Sequence, residues 1–158
     1  MPRTDLPLVK QIISSFVDVP QPGAREIALH PCDECRELDK AFAPFEFRDI
    51  PDEIVASHYN SLPLLSARAL HHYLPAYLLY AIAHPDSDVF EFVLYQLSPQ
   101  KKEEDSATVA YRLERLALFT PEQRSTVLSY LDWATQTDEG QWHAEDIQRA
   151  REVWGAAA

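Results

Sequence analysis

Glycine is scarce in this chain: Gly23, Gly140 and Gly155 are the only three in 158 residues. So few glycines leave no glycine-rich cradle for a phosphate and remove the residue that tight hairpin turns favour. Long apolar runs are missing too. The longest, Tyr73 to Ala83, falls well short of the roughly 18 residues of a membrane span and contains Pro75. No GxSxG, HExxH, Walker or dinucleotide-binding motif occurs, so a non-enzymatic protein is expected. Positive charge is also in deficit, with 14 Lys and Arg against 25 Asp and Glu and a formal charge of −11. A field of that sign repels phosphate backbones, which argues against nucleic-acid binding and makes a basic protein the natural partner. The segment MPRTDLPLVK lacks the apolar core of an export signal, so a cytoplasmic location is expected.

What is present is helical periodicity. Residues Leu65 to Ala83, LSARALHHYLPAYLLYAIA, are apolar or aromatic on almost every face, and only Arg68 carries a fixed charge. A helix of that kind has to be wrapped by others. Ser66 is its expected cap, and Pro75, which lacks a backbone donor, is expected to kink or split it near Tyr73. Around it the spacing predicts a first helix behind Thr4 and Asp5 to about Val17, a second over Asp33 to Phe42, and a third starting with Pro51 at N1. A fifth carries Val89, Phe90, Val93, Leu94 and Leu97. A sixth is capped by Ser106, with Val109, Leu113 and Leu116 inward. Thr120-Pro121-Glu122-Gln123 is a capping box with proline at N1, the strongest local signal, and opens a helix to about Gln136. Asp138-Glu139-Gly140 reads as a turn before a last amphipathic helix marked by Ile147, Ala150 and Trp154. No strand-like alternation persists. The expected fold is all-α: one domain over residues 1–158, a bundle of about seven to eight helices around a central apolar helix kinked near Pro75.

His30-x-Cys32-x-x-Cys35 is the one cluster with metal-ligand chemistry at ligand spacing. Two thiolates in CxxC can chelate one zinc and His30 can add a third donor, while a closed site needs a fourth, for which His58 or Asp33 would have to fold close. The competing reading makes Cys32 and Cys35 small semi-buried residues at a helix start. A redox dithiol is disfavoured, because Asp33 and Glu34 would oppose thiolate formation. Adjacent His71 and His72 point about 100° apart on a helix and cannot chelate as a pair; one is expected at the core edge and one toward solvent. Tyr73, Tyr77 and Tyr80 read as core with hydroxyls at the rim. The helices flanking Phe119-Thr120-Pro121 suggest a helix-turn-helix, but the second offers only Arg124 as a basic residue.

Acidic clusters Glu103-Glu104-Asp105 and Asp138-Glu139 fall in expected loops, where they are available to a partner, and Trp142 is the candidate aromatic anchor. LLSARALHHYLPAYLLYAIA followed by LFTPEQRSTVLSYL resembles a small bacterial family known only as domain of unknown function sixty-seven fourteen. YLPAYLL and FTPEQR are the most specific pieces, and the likeness spans roughly Ile50 to Leu131 without the C-terminal helix. It implies a helical fold and no active site. Small acidic helical proteins of this size are also similar to toxin-immunity proteins. The expected function is therefore an immunity-type binding protein that occludes a basic toxin domain. The alternative is a zinc-binding regulatory or accessory protein built on His30, Cys32 and Cys35.

Overall fold

The computed structural model describes residues 6–28, 30–99 and 105–156, and every regular element among them is helical. Helix α1 (Leu6–Phe16) buries Leu8, Ile12 and Phe16, one stripe at a spacing of four. Its expected caps, Thr4 and Asp5, lie outside the described residues. A connecting segment then buries Val19, Ile27 and Ala28 before α2 (Asp33–Phe42), where Cys32 is the N-cap. Helix α3 (Asp52–Ser57) begins one residue later than expected, with Pro51 as N-cap in an extended conformation. A 3-10 turn, Leu62–Leu64, leads to the centre of the fold.

That centre is α4 (Ala67–Ala83), in which eleven of 17 residues are buried and which packs against α1, α3, α5 (Asp88–Leu97) and α6 (Ser106–Leu116). The Ser66 hydroxyl accepts from the Ala69 N–H at 3.0 Å, as the sequence implied. The helix is not split: it runs unbroken through Pro75. A proline inside a helix costs about 3 kcal/mol, whereas each fully buried large apolar side chain returns roughly 1.5–3 kcal/mol, so packing on all sides outweighs the missing donor.

Helix α6 departs from its expected orientation. Asp105, not Ser106, is the N-cap, its carboxylate accepting from Thr108 N–H at 2.7 Å. Leu113 is 57% exposed and Val109 only half-buried, while Arg115, Leu116 and Phe119 point inward. The inward edge runs through residues 112, 115, 116 and 119, and the apolar spacing does not reveal it because it includes an arginine. Helix α7 (Pro121–Thr135) follows the capping box: Thr120 Oγ1 accepts from Gln123 N–H at 3.1 Å and Gln123 Oε1 accepts from Thr120 N–H at 3.0 Å. The expected turn at Asp138-Glu139-Gly140 is instead a short helix, α8 (Asp138–Trp142), capped by Thr137. Helix α9 (Ala144–Ala156) packs Ile147, Ala150 and Trp154 onto α7 and α5, with the Trp154 indole N–H donating to the Leu97 carbonyl at 3.0 Å. Buried residues from all the longer helices join one apolar cluster. Among the described residues no helix is long and apolar enough to cross a membrane.

Candidate metal centre and acidic surface

The ligating atoms of His30, Cys32 and Cys35 all lie within 4.8 Å of one another. Local chain geometry explains the convergence. Cys32 N–H donates to the His30 carbonyl at 3.0 Å, which folds the imidazole back over the start of α2, and Cys32 Sγ accepts from Cys35 N–H at 3.3 Å as the helix cap. Cys35 then sits inside the first turn, buried against the core, while Cys32 is half-buried and His30 exposed. Both thiols are free.

The two sulfurs differ electronically. Hydrogen bonding with Cys35 and then with His30 pulls the Cys32 thiol down to about 7, despite the adjacent carboxylates that the sequence suggested would prevent it. Cys35 is pushed up to about 11, first by its hydrogen bond with Cys32 and then by burial, with Glu34 adding to the rise. Neither suggested fourth ligand joins the group. Asp33 is turned to solvent and pairs with Arg36 at 3.2 Å, and the His58 ring packs edge-on against Phe42 at 5.7 Å. A tetrahedral zinc at about 2.3 Å from each sulfur would set a sulfur–sulfur separation of about 3.8 Å, so closing this cluster on an ion would need shifts of no more than about 1 Å. An exposed imidazole can make such a shift, and with neither Asp33 nor His58 in reach these three residues would be the ones to hold an ion.

Of the two histidines on the central helix, one is buried and one is partly exposed. His72 is buried, its Nε2 accepting from Phe47 N–H at 3.1 Å and its Nδ1–H donating to the Val19 carbonyl at 3.2 Å, which fixes the tautomer. His71 is half-buried between the rings of Phe16 and Phe119 and donates to Gln123 Oε1 at 2.7 Å. Burial lowers the pKa of both. Two of the three central tyrosines bond to backbone through their hydroxyls: Tyr73 donates to the carbonyls of Phe42 and Phe45, and Tyr77 donates to that of His58 at 2.8 Å. Arg124, the one basic residue of the suggested recognition helix, donates to the Leu116 carbonyl at 3.1 Å and so closes the end of α6.

Of the acidic candidates, Glu103 and Glu104 lie outside the described residues. Asp105 is exposed and stands just outside α6 as its N-cap, and its hydrogen bonds to Thr108 hold its carboxyl below the usual range. Asp138 and Glu139 occupy the first turn of α8 and line an open groove with Pro7, Gln11, Asp132 and Trp133. Trp142 ends the same helix and is 87% exposed. Two features went unread in the sequence, the burial of Arg115 and the tight seat of Gly140. A cation in an amphipathic helix and a glycine in a turn-like segment carry no mark that distinguishes them from surface residues.

Architecture and side chains together define an all-helical protein with two cysteine thiols and an imidazole gathered at a helix start and a separate acidic, tryptophan-bearing face. The chain belongs to the family described as "Family of unknown function (DUF6714)", whose model matches residues 8–158. The match extends well beyond the Ile50 to Leu131 likeness and includes α9. No curated protein and no solved structure matches the chain.

Proposed function

We propose that this chain is a non-enzymatic metal-binding regulatory or accessory protein that takes one zinc ion on His30, Cys32 and Cys35. The observation that carries this reading is the gathering of three borderline-soft ligand atoms within 4.8 Å. Zinc there would tie the 30–32 loop to the start of α2, which covers part of the core through Cys35, Leu38 and Phe42. Protein purified anaerobically without added metal is expected to hold one zinc per chain, or to take up one in competition with a chromophoric chelator. Cys32→Ser is expected to weaken the affinity at least tenfold, about 1.4 kcal/mol. Equal affinity in wild type and variant, or no uptake by either, overturns the reading.

A second reading rests on Trp142: a cytoplasmic immunity-type module that binds a basic toxin domain. A tryptophan 87% exposed beside Asp138 and Glu139 supplies an aromatic anchor within a field complementary to a cation-rich partner. Co-purification with the product of the neighbouring gene tests it. Trp142→Ala is expected to weaken that complex at least thirtyfold, about 2 kcal/mol. No capture, or capture indifferent to Trp142, removes it.

A further inference from the structure

Away from both of these surfaces, a cavity of about 230 Å³ opens between α4, α5, α6 and α9. Leu70, Leu74, Phe119 and Trp154 give it apolar walls, and polar side chains, Tyr111, Arg112 and Arg115 among them, complete the lining. Arg115 is 4% exposed, and no carboxylate among the described residues forms an ion pair with it. Its Nη1 donates to the Leu65 carbonyl and, at 2.9 Å, to the Tyr111 hydroxyl; its Nη2 donates to the Leu62 carbonyl at 3.0 Å. The Tyr111 ring also lies 4.9 Å from the guanidinium carbon. A guanidinium has five N–H donors, so these three bonds leave two, and the buried Nε has no partner.

Such an arrangement is expensive for a structural clamp alone. A buried cation with only neutral acceptors keeps most of its desolvation cost, and an unpaired buried donor adds to it. A carboxylate in the cavity would supply the formal negative charge that Arg115 lacks. The larger, apolar part of the lining suits a hydrocarbon body for the rest of the ligand. The cavity is smaller than the roughly 300–1,000 Å³ of drug-sized sites, which limits the occupant to a small molecule.

We propose that the cavity between α4, α5, α6 and α9 is a binding site for a small monocarboxylate with an apolar body, its carboxylate held by Arg115. Octanoate serves as the probe and octanamide, equal in shape and uncharged, as the control, each titrated calorimetrically into the full chain. Octanoate is expected to bind one to one, and octanamide at least tenfold more weakly. Arg115→Met is expected to abolish that preference. Should Arg115→Met fail to fold, Val153→Phe, which fills the cavity wall and keeps Arg115, is expected to weaken octanoate at least tenfold with an unchanged helical circular dichroism spectrum. Absence of octanoate binding at millimolar concentration, equal binding of octanoate and octanamide, or indifference to Val153→Phe overturns the proposal.

Discussion

Replacing His72 with alanine is expected to lower the unfolding free energy by about 3 kcal/mol, as for other large-to-small changes at fully buried sites that also carry hydrogen bonds. The ring is a buried bridge. It accepts from Phe47 N–H and donates to the Val19 carbonyl, groups in two irregular segments that no helix ladder satisfies, and it packs edge-on against Phe47 and Tyr73. Alanine orphans both backbone groups and leaves a void. The same geometry sets a pH dependence. Protonation would put an N–H on Nε2, facing the Phe47 N–H, and burial lowers the His72 pKa more than the Glu46 charge and the Val19 hydrogen bond raise it. The unfolded chain therefore takes up this proton near the ordinary imidazole value of about 6.5, and the folded chain only at lower pH. Stability is fully present above that value and is lost as pH falls below it. His71, lowered chiefly by burial, acts in the same direction. Urea denaturation at pH 7.5 and pH 5.0 checks this: His72→Ala should be less stable at the higher pH and lose less on acidification than wild type. An unchanged acid dependence would show that His72 does not set it.

Gly140→Ala is the second large effect, and its sign opposes helix propensity. Inside a helix alanine is favoured over glycine by about 1 kcal/mol. Here a Cβ would stand 1.7 Å from the Ala134 carbonyl oxygen and 2.7 Å from its carbon, both backbone atoms of α7. Thr137 seals the same joint, donating from Oγ1 to the Ala134 carbonyl at 2.7 Å and accepting from Gly140 N–H at 2.9 Å. The added methyl has to push α8 off the end of α7, at a cost of about 3 kcal/mol, the upper end of ordinary overpacking. Denaturation should report that loss, and the indole N–H resonance of Trp142 should shift as α8 moves. A variant as stable as wild type would mean that α8 does not pack on α7 in this way.

Much of the framework was legible because local rules and packing agree in it. The capping box at Thr120, the all-apolar helix behind Ser66 and the stripe Val89, Phe90, Val93, Leu94 and Leu97 each satisfy backbone and core at once. Errors arose where a long-range contact overrode the pattern. Leu113 reads as core by spacing, yet Arg115 reaches the Leu62 and Leu65 carbonyls and turns α6 so that the leucine faces solvent. Acidic residues at 138 and 139 followed by glycine read as a turn, but a threonine cap and the close seat of Gly140 make them a helical turn. The metal candidates were visible because all three lie within six residues of sequence, where a cap and a short turn suffice to converge them. Arg115 was invisible for the opposite reason, since its partners lie some 50 residues away.

Cobalt(II) substitution is the most direct test of the proposed Cys2His centre. Anaerobic titration of the full chain should develop thiolate-to-cobalt charge-transfer absorption that saturates at one equivalent, with tetrahedral d–d bands that zinc displaces and that fade in Cys32→Ser. A cobalt spectrum that stays octahedral, lacks the charge-transfer band, or is the same in Cys32→Ser would contradict a metal site on His30, Cys32 and Cys35.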